Sequence, residues 1–187
     1  MTARVIYSMS VSLDGYINSP SGSLDWVDID EEVHGWFNDR ARAAGAFIYG
    51  RRLYETMTDY WPTAEADPNA TPVEVDFART WGPKPKVVFS STLESVDWNS
   101  RLLRTNIIEE LPALKSEFDG ELDVGGATLA SALVERNLVD EYRLVVHPVI
   151  LGGGTPFFPA GTQLDLRLID SHRFDKGAVL LAYVSRR

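Results

Sequence analysis

Three short segments of this chain place glycine or hydroxyl residues beside groups that bind anions. Gly50-Arg51-Arg52 follows the apolar run AFIY, Ser90-Ser91-Thr92 follows KVVF, and Gly125-Gly126-Ala127-Thr128 follows LDV. A glycine ahead of a helix leaves backbone N–H groups open to a ligand, at the positive end of the helix dipole. Arginine adds a full charge on a planar fork that suits a phosphate monoester, and hydroxyls supply further donors. Taken singly, each segment also reads as a plain turn, a solvated arginine pair or a hydroxyl cap.

The elements that must carry these segments are legible in outline. RVIYSMSVSL (4–13) is β-branched and apolar, which predicts a buried first strand, and Asp14-Gly15 breaks it. From Asp28 to Ala44 the apolar positions share one helical face, with Asp28 and Glu31 as a capping box and Gly45 as the stop. AFIY (46–49) reads as a strand running directly into a helix at 50–57. A proline-rich stretch follows, with a helical turn or two in 73–80, then a strand at 86–90. A helix over 111–118 takes Pro112 in its first turn, 122–124 is a short strand, and 127–137 is a helix. EYRLVVHPVIL (141–151) reads as a long strand, and Gly152-Gly153-Gly154 as a loop. Strands at 164–174 and 177–184 close the chain.

Strand–helix alternation ending in two strands predicts one α/β domain over 1–187, with a mainly parallel central sheet and an antiparallel C-terminal hairpin. Ligands of such sheets collect beyond the carboxyl ends of the strands, where all three anion-binding segments fall. A molecule with a diphosphate at one end and a separate phosphate at the other would use all three. NADPH fits that description.

Composition excludes several alternatives. Cysteine is absent, which removes disulfides, thiol nucleophiles and thiolate zinc sites, and His34, His147 and His172 are scattered, so no metal is expected. A net charge of −9 with no long basic cluster argues against nucleic acid. The absence of a membrane-length apolar run or a leader pattern gives the cytoplasm as the expected location.

The arrangement SLDGYI … YGRRLYE … VVFSST … VGGATLASALVERNLVDEYRLVVHPVILGGGTPFF resembles the dihydrofolate-reductase-like superfamily. Within it the chain is most similar to the reductase domain of riboflavin biosynthesis, over nearly its whole length. The resemblance implies a three-layer fold and NADPH bound in an extended pose. Arg51 and Ser91 would then hold the 2′-phosphate, with Gly50 and Arg52 beside the diphosphate and Gly125, Gly126, Ala127 and Thr128 cradling it. Ser10 and Ile17 would lie near the nicotinamide, and Ser90 and Leu129 complete the implied cofactor set. One departure stands out: the family places a threonine or serine three residues after the first glycine, where this chain has Leu53. That change either weakens the cofactor site or hands the contact to Thr56 or Thr128.

On the substrate side, folate reductases carry an acid on the first helix, and the matching region here, Val33-His34, offers none. Asp14 in SLDG is the candidate catalytic acid by resemblance; by sequence alone Asp-Gly is an ordinary turn. Gly152–Gly154 either closes over the substrate or only links strands. Trp26, Tyr54, Tyr60 and Trp61 either wall the substrate cleft or pack. The expected activity is reduction of a small heterocycle, such as 5-amino-6-(5-phosphoribosylamino)uracil. The alternatives are a dihydrofolate or pterin reductase and a non-catalytic NADP-binding protein. A homodimer through the C-terminal strands is also expected, since exposed edge strands invite pairing.

Overall fold

The computed structural model describes residues 2–186. The elements run β1 (Arg4–Val11), α1 (Glu31–Ala43), β2 (Ala44–Gly50), α2 (Arg51–Ala64), α3 (Pro72–Trp81), β3 (Lys86–Phe89) and β4 (Ser100–Leu103). They continue with α4 (Ile107–Glu117), β5 (Glu121–Gly125), α5 (Ala127–Val134), β6 (Glu141–Val146), β7 (Leu166–Arg173) and β8 (Val179–Ser185). All eight strands form one sheet in the order β4-β3-β2-β5-β1-β6-β8-β7. The first six in that order are mutually parallel, while β8 runs antiparallel to both β6 and β7. The expected parallel sheet with an antiparallel C-terminal hairpin is present.

Helices cover both faces, and the strands are apolar where those helices pack. One face packs α4 and α5 against Val5, Tyr7, Ile48, Leu122 and Val124. The opposite face carries two separate clusters. Ala41, Tyr54, Phe77 and Trp81 pack on Phe47, Tyr49 and Val88, and Val33 packs with Val145, Phe174, Ala178 and Leu180. Between those two clusters lies a polar strip, described below. Among the described residues, no helix is long and apolar enough to cross a membrane.

Several boundaries differ from the expectation, each for a local reason. Helix α1 begins at Glu31 because Asp30, not Asp28, accepts from the Val33 amide. Gly45 does not stop that helix; it lies in β2, where any Cβ would meet the Asp119 carbonyl oxygen at 2.0 Å. Helix α4 starts at Ile107 behind an Asn106 cap, so Pro112 sits inside it rather than in its first turn. Strand β6 ends at Val146, before His147-Pro148, and α5 ends at Val134. Strand β4, at the sheet edge, is an element the sequence reading did not contain.

Candidate functional site

Because β1, β2, β3, β5 and β6 are parallel, their carboxyl ends share one rim. The register puts Gly50 beside Phe89 and Tyr49 beside Gly125, so β3, β2 and β5 deliver Ser90, Gly50 and Gly125 as neighbours. The three segments picked out in the sequence are therefore contiguous in space.

Two helices start at that rim, and their starts are unlike the rest. Helices α1, α3 and α4 are capped by Asp30, Thr71 and Asn106 side chains and have acids in the first turn. Helices α2 and α5 begin behind Gly50 and Gly126 with no side-chain cap and no acid in the first turn. The first-turn amides after each glycine are thus left to another acceptor, at the positive ends of two dipoles. Gly126 has φ +93, a left-handed conformation that side chains avoid, and a Cβ there would have only ordinary contact, 3.7 Å from Leu53 Cβ. A Cβ on Gly125 would instead meet Leu53 Cδ2 at 2.2 Å. Leu53 therefore lies over the glycine pair, its flexible Cδ2 end nearest Gly125, with the Tyr49 ring 3.3 Å from the same position. Gly50 and Leu129 pack the two helix starts together, a Cβ on Gly50 lying 3.7 Å from Leu129 Cβ.

The individual groups divide clearly. Arg51 is exposed and leans on Glu55 at 3.4 Å, one helical turn away. Arg52 and Thr128 are exposed, and Ala127 is buried. Thr56 donates to the Arg52 carbonyl at 3.0 Å, so of the two hydroxyls offered in place of the missing threonine, Thr128 is the one left at the rim. Ser90 Oγ accepts from the Thr92 and Leu93 amides and shapes the turn, while Ser91 is exposed. Arg104, at the end of β4, donates to the Ser91 and Leu93 carbonyls at 3.2 and 2.7 Å. This third rim arginine was invisible in sequence because β4 was.

At the β1 end, Ser10 Oγ lies 3.1 Å from His147 Nε2. His147 is buried, and burial lowers its pKa. Ile17 is buried in the same cluster as Tyr7 and Phe157. Asp14 is an anchor: Ser12 Oγ donates to it at 2.7 Å, the Leu151 amide at 3.1 Å and the Gly152 amide at 2.8 Å. The Ser12 hydroxyl, followed by those amides, holds its carboxyl below the usual range. A carboxylate so held fastens the glycine-rich loop to the loop after β1; it is poorly suited to giving up a proton. Ile17 N to Thr155 O and Thr155 N to Asn18 Oδ1 extend the same seam.

The seam gives the glycine-rich loop its sequence requirement. Gly154 has φ +128, and a Cβ there would lie 1.9 Å from the Asn18 carbonyl oxygen; Gly152, at φ +70, faces open space. Gly154→Ala is expected to cost about 2–3 kcal/mol and Gly152→Ala about 1 kcal/mol, measured by urea denaturation. Equal costs would show that the seam does not constrain the loop.

A cavity of about 870 Å³ opens nearby, lined by the start of α1, the end of α2 and the start of α3. Tyr60, Trp61 and His34 give it aromatic walls, and Asp28, Asp30, Glu31 and Glu74 make it acidic. Trp26 and His147 line a smaller one of about 180 Å³ alongside. Tyr54 lines neither cavity and packs: its hydroxyl bonds the Asp97 backbone.

Residues 3–180 match the family model described as the RibD C-terminal domain. The chain belongs to that family. A Bacillus subtilis relative, the uncharacterized protein YyaP, is 32% identical over 182 residues, covering 96% of this chain and 94% of its own. A Shewanella sp. PV-4 structure assigned to riboflavin biosynthesis superposes with TM-score 0.76 at 23% identity, over 99% of each chain. Dihydrofolate reductase from Enterococcus faecalis, solved with NADP(H), superposes with TM-score 0.67 at 14% identity over 100% of both chains. This RibD C-terminal domain thus has the dihydrofolate-reductase-like fold, and its family is one of reductase domains.

Proposed function

We propose that the protein is an NADPH-dependent reductase of a small heterocyclic substrate. The observation that carries this reading is the pair of uncapped, glycine-started helices side by side at one rim, with Arg51 on the first turn of one of them. The amides opening α2 and α5 hold the diphosphate, with Arg52 alongside and Leu129 bracing Gly50. Arg51 and Ser91 take the 2′-phosphate, and Ser10 and Ile17 border the nicotinamide end. When bound, the dinucleotide supplies the hydride. The family membership and the NADP(H)-bound reductase of the same fold support this assignment.

Calorimetry with NADPH and NADH tests it. NADPH is expected to bind at least about tenfold tighter, the worth of a charge-assisted phosphate contact, and Arg51→Ala should remove most of that preference. Equal affinity for the two dinucleotides, or an unchanged preference in the variant, defeats the proposal.

The adjoining cavity favours one substrate class over another. Its carboxylates Asp28, Asp30, Glu31, Glu32, Glu74 and Asp175 outnumber the one lysine lining it, Lys176. Glu74 is held ionised chiefly by Thr71, and Glu32 by the Asp175 amide and His172. A phosphoribosyl group entering there meets like charge. An uncharged or cationic flat heterocycle of the pterin kind, stacked against Tyr60 or Trp61, suits these walls better than a phosphorylated pyrimidine.

A further inference from the structure

Between the two apolar clusters under α1 runs the polar strip of the central strands. It comprises Glu121 and Asp123 on β5, Ser8 and Ser10 on β1, and Arg143 and His147 at β6 and its end. Alternation along each strand puts these on the face opposite Leu122, Val124, Tyr7 and Tyr142. The register sets Asp123 beside Ile6 and Phe47, and Ser8 beside Arg143.

The pairing within this strip is uneven. Arg143 grips both oxygens of Glu121 at 2.7 and 2.8 Å and Glu141 at 2.6 Å. Its guanidinium is committed to those two, and Arg4 also serves Glu141 at 2.7 Å. Asp123, the third carboxyl, accepts no hydrogen bond from any described residue, yet it is only partly open to solvent. Ser8 Oγ, on the neighbouring strand, is buried and has no partner among the described residues. Two polar groups lacking protein partners, a single same-face step apart on adjoining strands, are what a ligand-reading surface requires and what a folded core avoids.

We propose that Asp123 and Ser8 form the floor on which the substrate is read, with Asp123 as a neutral carboxyl donating to an acceptor atom of a flat heterocycle. This rests on the reductase reading above and adds the residues that select its substrate. Burial pushes the Asp123 carboxyl up to about 7; the nearby Arg143 opposes that rise and Glu121 adds to it. Tyr49 from β2, Arg40 from α1, and Asp28 and Asp30 ahead of α1, which act on His147, also face this strip. The neutral form has an O–H to offer, so recognition here does not need the substrate to be cationic.

Calorimetric titration with 7,8-dihydropterin, at pH 6 and pH 8, tests the assignment. Wild-type affinity is expected to fall several-fold between those pH values as the carboxyl ionises. Asp123→Asn, which keeps a donor and an acceptor, should retain the pH 6 affinity and lose the pH dependence. Asp123→Val should lose at least about tenfold, and Ser8→Ala a smaller factor. If affinity instead rises with pH and the Asn variant binds weakly, the carboxylate is the recognising form and the proposal fails. No binding, or equal binding by the Val variant, overturns it as well. NADPH affinity, measured on the same samples, is expected to be unchanged in all three variants. Loss of dinucleotide binding in the wild type would defeat the reductase reading while leaving the pterin result to decide the role of Asp123.

Discussion

Lys86→Met is expected to destabilise the protein by about 3–5 kcal/mol, more than any other substitution considered for this fold. The residue is the first of β3 and is 1% exposed. Its Nζ donates to the carbonyls of Trp81 at 2.7 Å, Gly82 at 3.2 Å, Lys84 at 2.9 Å and Trp98 at 2.7 Å, and lies 4.0 Å from the Trp81 ring centroid. Burial brings its pKa down to about 8, so the cation still predominates at neutral pH. Methionine fills most of the volume but removes the ammonium donor; the buried Trp81 carbonyl loses its partner, and the Trp98 carbonyl keeps only Ser100 Oγ at 3.4 Å. Each buried orphan costs on the order of 1 kcal/mol or more. The ammonium ties the end of α3 and the turn before β4 to the root of β3, the strand that leads into Ser90. Loss of the tie should therefore also loosen the Ser90–Ser91 turn. Urea denaturation at pH 7 measures the cost. A change below about 1 kcal/mol would mean that water replaces the ammonium without penalty.

How much of this was readable beforehand follows from the range of the interactions concerned. The two glycine-started helices were legible because their signals are local: Gly50 and Gly126 each stand directly before a helix, and the sequence on either side fixes both strand and helix. The anchoring contacts of Asp14 were not legible, since its partners Leu151 and Gly152 are far along the chain. Gly45 looked like a helix stop because the Asp119 carbonyl it accommodates belongs to a distant turn. Strand β4 escaped because SRLL is four residues long and half-exposed at an edge, where apolar alternation carries little signal. The polar strip was hidden for a different reason. Asp123 sits in a run that reads as an ordinary short strand, and only the order β5-β1-β6 sets it among Ser8, Glu121 and Arg143. The relation of that strip to the rim is what would join fold to chemistry. The parallel strands whose ends carry the proposed dinucleotide cradle also carry, on one face, the groups proposed to meet a substrate.

Asp123→Asn is expected to be more stable than the wild type at pH 8 and equal to it near pH 4. The sign follows from the direction of the shift. Folding raises this carboxyl from 3.8 to about 7. Below pH 4 it is protonated in both folded and unfolded chains, so ionisation costs nothing. As pH rises from 4 towards 7 the unfolded chain releases the proton first, and the folded state loses stability steadily. Above 7 the loss levels off. The full shift corresponds to about 4 kcal/mol; because Asp123 is partly open to solvent, screening reduces the expected gain of the Asn variant to about 2 kcal/mol. Such a gain identifies a residue held at the expense of stability, the mark of a functional group rather than a structural one. The contrast with Glu121 is instructive, because Arg143 holds that carboxyl below its usual value and Glu121→Gln should destabilise the protein under the same conditions. Denaturation curves at pH 4, 6 and 8 measure the difference directly. Parallel curves for wild type and Asp123→Asn across that range would mean that Asp123 ionises as an ordinary aspartate, and the neutral donor assigned to the substrate floor would be lost with it.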